Sequence, residues 1–160
     1  MNRKVRTLFL FLIGLTVLLI WGNSLLSSRN SYAISNFVSN LLTRFHMTGL
    51  VAWLSFLGKS QGSQVRKAAH LAEFAIYGFL IRLFIRKWGG NSVTKGLAIA
   101  LFGVSTALID ETIQLFTNRT SSVKDIWIDL AGYCAGAAVS TIVLLLYNKI
   151  RSRMRTYPKA

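Results

Sequence analysis

The stretch Val104-Ser105-Thr106-Ala107-Leu108-Ile109-Asp110-Glu111-Thr112-Ile113-Gln114 decides how this chain is read. It closes an apolar run that begins near Val93 and is long enough to cross a bilayer, yet two adjacent carboxylates and an amide stand close to its end. A carboxylate is costly in that setting. The chain has five acidic residues, Glu73, Asp110, Glu111, Asp125 and Asp129, and every one lies in or at the edge of a hydrophobic segment. This inverts the usual pattern of charges outside and apolar groups inside.

Outward from that stretch, the composition sets the class. A 160-residue chain suits a single domain, but 52% hydrophobic residues, a mean hydropathy of +0.46 and one proline argue for a small polytopic membrane protein rather than a soluble one. Nineteen Lys and Arg against five acids give a formal charge of +14. These bases occur in short clusters flanking apolar runs, which fits positive-inside topology and anionic lipid head groups and argues against a nucleic-acid partner. The single cysteine, Cys134, excludes an intramolecular disulfide and a cysteine-based metal site, and is expected to be a small buried packing residue.

Taken in order, Arg3, Lys4 and Arg6 precede an apolar run from Thr7 to Trp21 that extends less purely to Leu26. Ser31-Tyr32-Ala33 is a poor cleavage site placed well beyond that core, so an uncleaved first helix is expected. Next, Ile34, Phe37, Val38, Leu41, Leu42 and Phe45 recur at helical spacing and predict an amphipathic helix over residues 34–45, too short to span. It either lies on the outer membrane surface or covers the bundle. Leu50–Leu57 reads as interfacial, His46 as a solvated or interfacial histidine, and Lys59–Ser63 as a loop. The remaining apolar segments run over about 68–86, 93–116 and 123–147, separated by a Gly89-Gly90-Asn91 turn and a Thr117–Ser122 loop.

The predicted fold is therefore all-α: an integral membrane four-helix bundle, with helices near 7–26, 68–86, 93–116 and 123–147 and an interfacial helix between the first two. The N-terminal end, the turn between the second and third spans (Arg82, Arg86, Lys87, Lys95) and the C-terminal tail together hold twelve of the 19 bases. That bias places both termini in the cytoplasm of a multi-pass cell-membrane protein. His70 and Glu73, then Asp110, Glu111 and Gln114, then Asp125 and Asp129 thereby converge on one level at the outer face.

Helical spacing arranges them further. Arg66, His70, Glu73 and Tyr77 form a stripe on one face, and Gln114 can share a face with Asp110 or Glu111. Asp125 and Asp129 continue into a Gly132-x-x-x-Gly136 seam suited to close helix packing. Arg119, Arg66 or Lys67 can neutralise these carboxylates and so simply hold the helices together. Against that, five carboxylates and a histidine exceed what packing requires and repel one another unless something positive sits among them. The positive group is a divalent cation held with His70, an amine-bearing ligand, or the protein's own bases in a mixed-charge pocket that grips a head group. His70 and Glu73 have the chemistry for acid/base work, with Asp110 and Glu111 as further catalytic candidates. Whether the protein is an enzyme stays open at this point.

Three segments carry a resemblance. Lys67-x-x-His70-x-x-Glu73-Phe74, Asp110-Glu111-x-x-Gln114-x-Phe116-x-x-Arg119 and Asp125-x-x-x-Asp129-x-x-Gly132-x-x-x-Gly136 resemble the signature of the VanZ-like family of small bacterial membrane proteins. The resemblance implies a four-helix membrane protein of the cell envelope, in a family whose named member is associated with resistance to the glycopeptide teicoplanin. Asp129 stands where the family pattern more often has Asn, and Arg119 lacks a preceding glycine. The expected ligand-lining set is Lys67, His70, Glu73, Asp110, Glu111, Gln114, Arg119, Asp125 and Asp129. The expected ligand is a lipid-linked cell-wall precursor or a glycopeptide, bound without turnover. The alternative is a hydrolase or transferase acting on a lipid-linked head group with the aspartates holding a metal.

Overall fold

The computed structural model describes residues 2–26, 28–44, 61–117 and 122–156. Five helices make up these residues: α1 (Arg3–Leu25), α2 (Ser28–Arg44), α3 (Gln61–Ile85), α4 (Ser92–Phe116) and α5 (Val123–Thr156). Four of them, all but α2, are long and apolar enough to cross a membrane. Their outward surfaces are aliphatic and aromatic, with Phe11, Leu18, Leu101 and Phe116 among many exposed side chains. In water such a surface would aggregate, whereas acyl chains solvate it. The chain is a multi-pass membrane protein.

Helix limits differ from the hydropathy reading in an instructive way. α3 begins at Gln61, seven residues before the apolar run, so Gln61–Ser63 are helical rather than loop and His70 lies about two and a half turns inside the helix. Likewise α5 continues to Thr156 through Lys149-Ile150-Arg151-Ser152-Arg153-Met154. Apolar content marks where a helix meets lipid, while the helix itself persists as long as good helix formers follow. At 34 residues α5 is about 50 Å long, so its basic end stands clear of a hydrocarbon core of about 30 Å.

Between α3 and α4 the turn is built as its residues require. Gly90 takes a positive φ of 99°, and Asn91 caps α4 by accepting from the Thr94 backbone N–H at 2.8 Å. At this end of the bundle the Trp88 ring meets Phe84 and Phe102 edge-on.

The tightest packing joins α3 to α5. Gly132 lies against the Leu71 carbonyl, Gly136 against the Ala75 carbonyl and Gly78 of α3 against the Tyr133 carbonyl, so close that an added Cβ would overlap backbone at each position. The predicted glycine seam is thus a backbone-to-backbone contact, the device by which helices associate where lipid removes the hydrophobic drive. Tyr133 fills the space beside Gly103 of α4 and donates its hydroxyl to the Ile99 carbonyl at 2.7 Å. Ile20, Phe74, Tyr77, Ile81, Phe84, Ile85 and Ala107 complete the core.

Two expectations change. Asp129, Gly132, Tyr133, Gly136, Ser140 and Leu144 are the buried positions among the described residues of α5, and Cys134 falls between them and is exposed on the outside of the bundle. In α2 the helix forms, but only part of its apolar stripe is covered: Ser35 is buried and Val38 half-buried, while Ile34, Phe37 and Leu41 stay exposed. α2 packs on α3 along one edge of its stripe and leaves the other edge free for lipid. Leu50–Leu57, Phe45 and His46 lie outside the described residues.

Candidate functional site

At the end of the bundle opposite the Gly89-Gly90-Asn91 turn, the C-terminal ends of α1 and α4 meet the N-terminal halves of α3 and α5, and the acidic side chains gather there. Asp110 is fully buried. Its Oδ1 accepts from the Ser24 hydroxyl at 2.7 Å and its Oδ2 from the Gln114 amide at 2.8 Å, while His70 Nδ1 stands 3.8 Å from Oδ2. Of the two carboxylates that helical spacing offered to Gln114, the fold selects Asp110. Glu111, one residue on and therefore rotated about 100° around the helix, turns away from Gln114 toward the start of α5. There it accepts from the Ser122 backbone N–H at the entrance to α5.

Across the cluster, Glu73 accepts from the Asn23 amide at 2.6 Å. Lys67 reaches Asp125 at 2.6 Å, a pair with side chains 20% and 16% exposed. Asp129 is 2% exposed, and no hydrogen-bond partner for its Oδ2 exists among the described residues. The second oxygens of Glu73 and Glu111 are likewise buried without a partner there. Leaving a buried acceptor unmatched costs about 1–3 kcal/mol, more for a charged group. Three in one cluster is more than helix packing alone explains.

The structure thus brings together eight of the nine expected site residues, Lys67, His70, Glu73, Asp110, Glu111, Gln114, Asp125 and Asp129; the ninth, Arg119, lies outside the described residues. Tyr77, which shares their stripe on α3, belongs to the core instead. Its hydroxyl accepts from Thr106 at 3.1 Å and its ring packs on Tyr133. Sequence reasoning missed the contribution of α1. Asn23 and Ser24 hold Glu73 and Asp110, and Thr117 donates to the Ser24 carbonyl at 3.1 Å. The signal available was modest: two polar residues at the end of an otherwise apolar helix, at the depth of the acids.

Two hollows open on the cluster. A small cleft of about 10 Å³ is bordered by Arg66, Lys67, His70, Gln114, Asp125, Ile128 and Asp129. A larger cavity of about 150 Å³ lies between α1, α2 and α3, walled by Leu26, Ile34, Val38, Val65 and Ala69 with Asn23, Ser35, Arg66 and His70 as its polar groups. Arg66 and His70 border both. One face of the site is therefore cationic and acidic, the other largely apolar. Among the described residues, His70, Asp110 and Asp129 each offer a ligand atom, and these atoms lie within 4.8 Å of one another, close enough to hold a metal ion.

A bundle of membrane-spanning helices with a polar, mixed-charge cluster buried at one end is the class that fold and site define. Within that class the chain belongs to the VanZ/LLP1 family, whose model matches residues 9–145. The match takes in the first helix and α2 as well as the three motif segments. No curated protein and no solved structure matches the chain.

Proposed function

We propose that this protein binds the polar head group of a lipid-linked or cell-wall-related molecule at the outer face of the cell membrane, and through it modifies susceptibility to glycopeptide antibiotics of the teicoplanin type. The observation that carries this reading is the buried, incompletely satisfied carboxylate cluster bordered by Arg66 and Lys67 and adjoining a mainly apolar cavity. Polar groups kept in a membrane span at such cost mark function more often than architecture. A cation-edged polar cleft beside an apolar hollow suits a molecule with an anionic or hydroxyl-rich head and a hydrocarbon tail. The concentration of Lys and Arg at the N-terminus, the α3–α4 turn and the C-terminal tail supports an inner location for that end, hence an outer one for the site.

The test is glycopeptide susceptibility of cells carrying Asp110→Asn, Glu111→Gln or Asp125→Asn at matched membrane expression. All three are expected to shift susceptibility relative to the parent protein, with saturable binding of a lipid-linked precursor and no product. Unchanged susceptibility in all three would refute the reading. Turnover of an envelope lipid that His70→Ala abolishes would replace it with a catalytic one.

A further inference from the structure

We infer that His70, Asp110 and Asp129 form a binding site for one divalent transition-metal ion. Each contributes a ligand atom to a group within 4.8 Å, from three different helices. His70 Nδ1 and Asp110 Oδ2 are 3.8 Å apart. On a shared ion with ligand bonds of about 2.1 Å those atoms would sit about 3.0–3.4 Å apart, so this pair must close by roughly 0.4–0.8 Å and the Asp129 oxygen, within 4.8 Å of both, by no more than about 1.8 Å.

Asp129 gives the independent indication. Its side chain is 2% exposed, and Oδ2 has no donor among the described residues although the neighbouring carboxylate, Asp110, holds two. A buried oxygen in that state is expected to have a positive partner. Lys67 is engaged by Asp125. The cleft that Asp129 shares with His70 and Gln114 measures about 10 Å³, the room of a single water-sized body. Asp110 accepts from Ser24 and Gln114, and those two bonds set its orientation as partners behind a ligand commonly do.

One imidazole with two carboxylates suits Zn²⁺, Mn²⁺ or Fe²⁺ better than Ca²⁺ or Mg²⁺, which take oxygen alone. Three protein ligands leave coordination positions open. Resting on the head-group reading above, those positions would take phosphate or hydroxyl oxygens of the bound molecule, with Lys67 and Arg66 beside them.

The experiment uses full-length, tag-free protein in nanodiscs, stripped with a chelator and then titrated with Zn²⁺, Mn²⁺ and Co²⁺. Expected are about one ion per chain by elemental analysis, a rise in unfolding temperature on adding metal, and visible Co²⁺ absorption of a low-symmetry site. Asp129→Asn, nearly isosteric, and His70→Ala should each lower affinity at least tenfold, while Cys134→Ser, on the exposed outside of α5, binds like the parent. No stoichiometric binding of any of the three ions, or equal binding by Asp129→Asn and His70→Ala proteins of native elution profile, overturns the site. The two readings separate cleanly. Head-group binding by metal-free protein would overturn the metal's part in ligand binding and leave the function standing. Stoichiometric metal with susceptibility unmoved by the three carboxylate substitutions would do the reverse.

Discussion

Gly136→Ala tests the packing that positions the site. A Cβ at this position would stand 2.6 Å from the Ala75 carbonyl carbon and 2.9 Å from its Cα, and closer still to the carbonyl oxygen. Ordinary contact begins at 3.4 Å, so α3 and α5 must part by at least 0.8 Å, the difference between 3.4 and 2.6 Å. The obstruction is backbone, which cannot rotate away as a side chain can. Parting there also opens the contacts of Gly132 on Leu71 and of Gly78 on Tyr133. Overpacking of this kind costs about 1–3 kcal/mol, while alanine returns about 0.8–1 kcal/mol of helix propensity over glycine. The net expectation is a loss of up to about 2 kcal/mol, read as a lower SDS fraction at the unfolding midpoint in mixed micelles. Gly14→Ala and Gly22→Ala supply the comparison, since among the described residues no atom beyond their own helix lies within 4 Å of an added Cβ. Those two carry the propensity gain without the clash and should unfold at or slightly above the parent midpoint. If Gly136→Ala does the same, the seam is not the contact described.

Two further outcomes are expected. Ser24→Ala removes a buried donor from Asp110, and should lower stability in the same assay by about 1–2 kcal/mol, between the values for charged hydrogen bonds in water and for side-chain bonds between membrane helices; a change under a few tenths would show that α1 does not hold the carboxylate. For orientation, a reporter active only in the cytoplasm and fused at the C-terminus should give signal, and one active only outside, inserted after Arg44, should give signal too; the opposite pattern would put the acidic cluster on the inner face.

Much of this was legible beforehand for a physical reason. Lipid is a uniform apolar solvent, so a helix that meets it shows a continuous hydrophobic run, and four such runs appear in order in the sequence. The same contrast exposes the carboxylates, because an acid in an apolar run has few structural excuses. Helical spacing placed Asp125, Asp129, Gly132 and Gly136 on one side of their helix, and the close packing of the two glycines on α3 follows that spacing.

Helix ends were harder to read, since hydropathy marks where the chain enters lipid and is silent on the helical turns before it, as Gln61–Lys67 show. Cys134 misled because an apolar neighbourhood in sequence says nothing about which side of a lipid-facing helix is buried.

By itself, then, the sequence determined the class, the four spans and the depth at which the acids sit, all properties of one helix and its solvent. Only the tertiary structure decided who holds whom: Gln114 on Asp110 rather than Glu111, Lys67 on Asp125, Asn23 and Ser24 of α1 on Glu73 and Asp110, and Asp129 left facing His70. Those pairings depend on the rotation of each helix about its axis and on how closely neighbours approach. Both are set by contacts such as Gly136 on Ala75, between residues far apart in the chain.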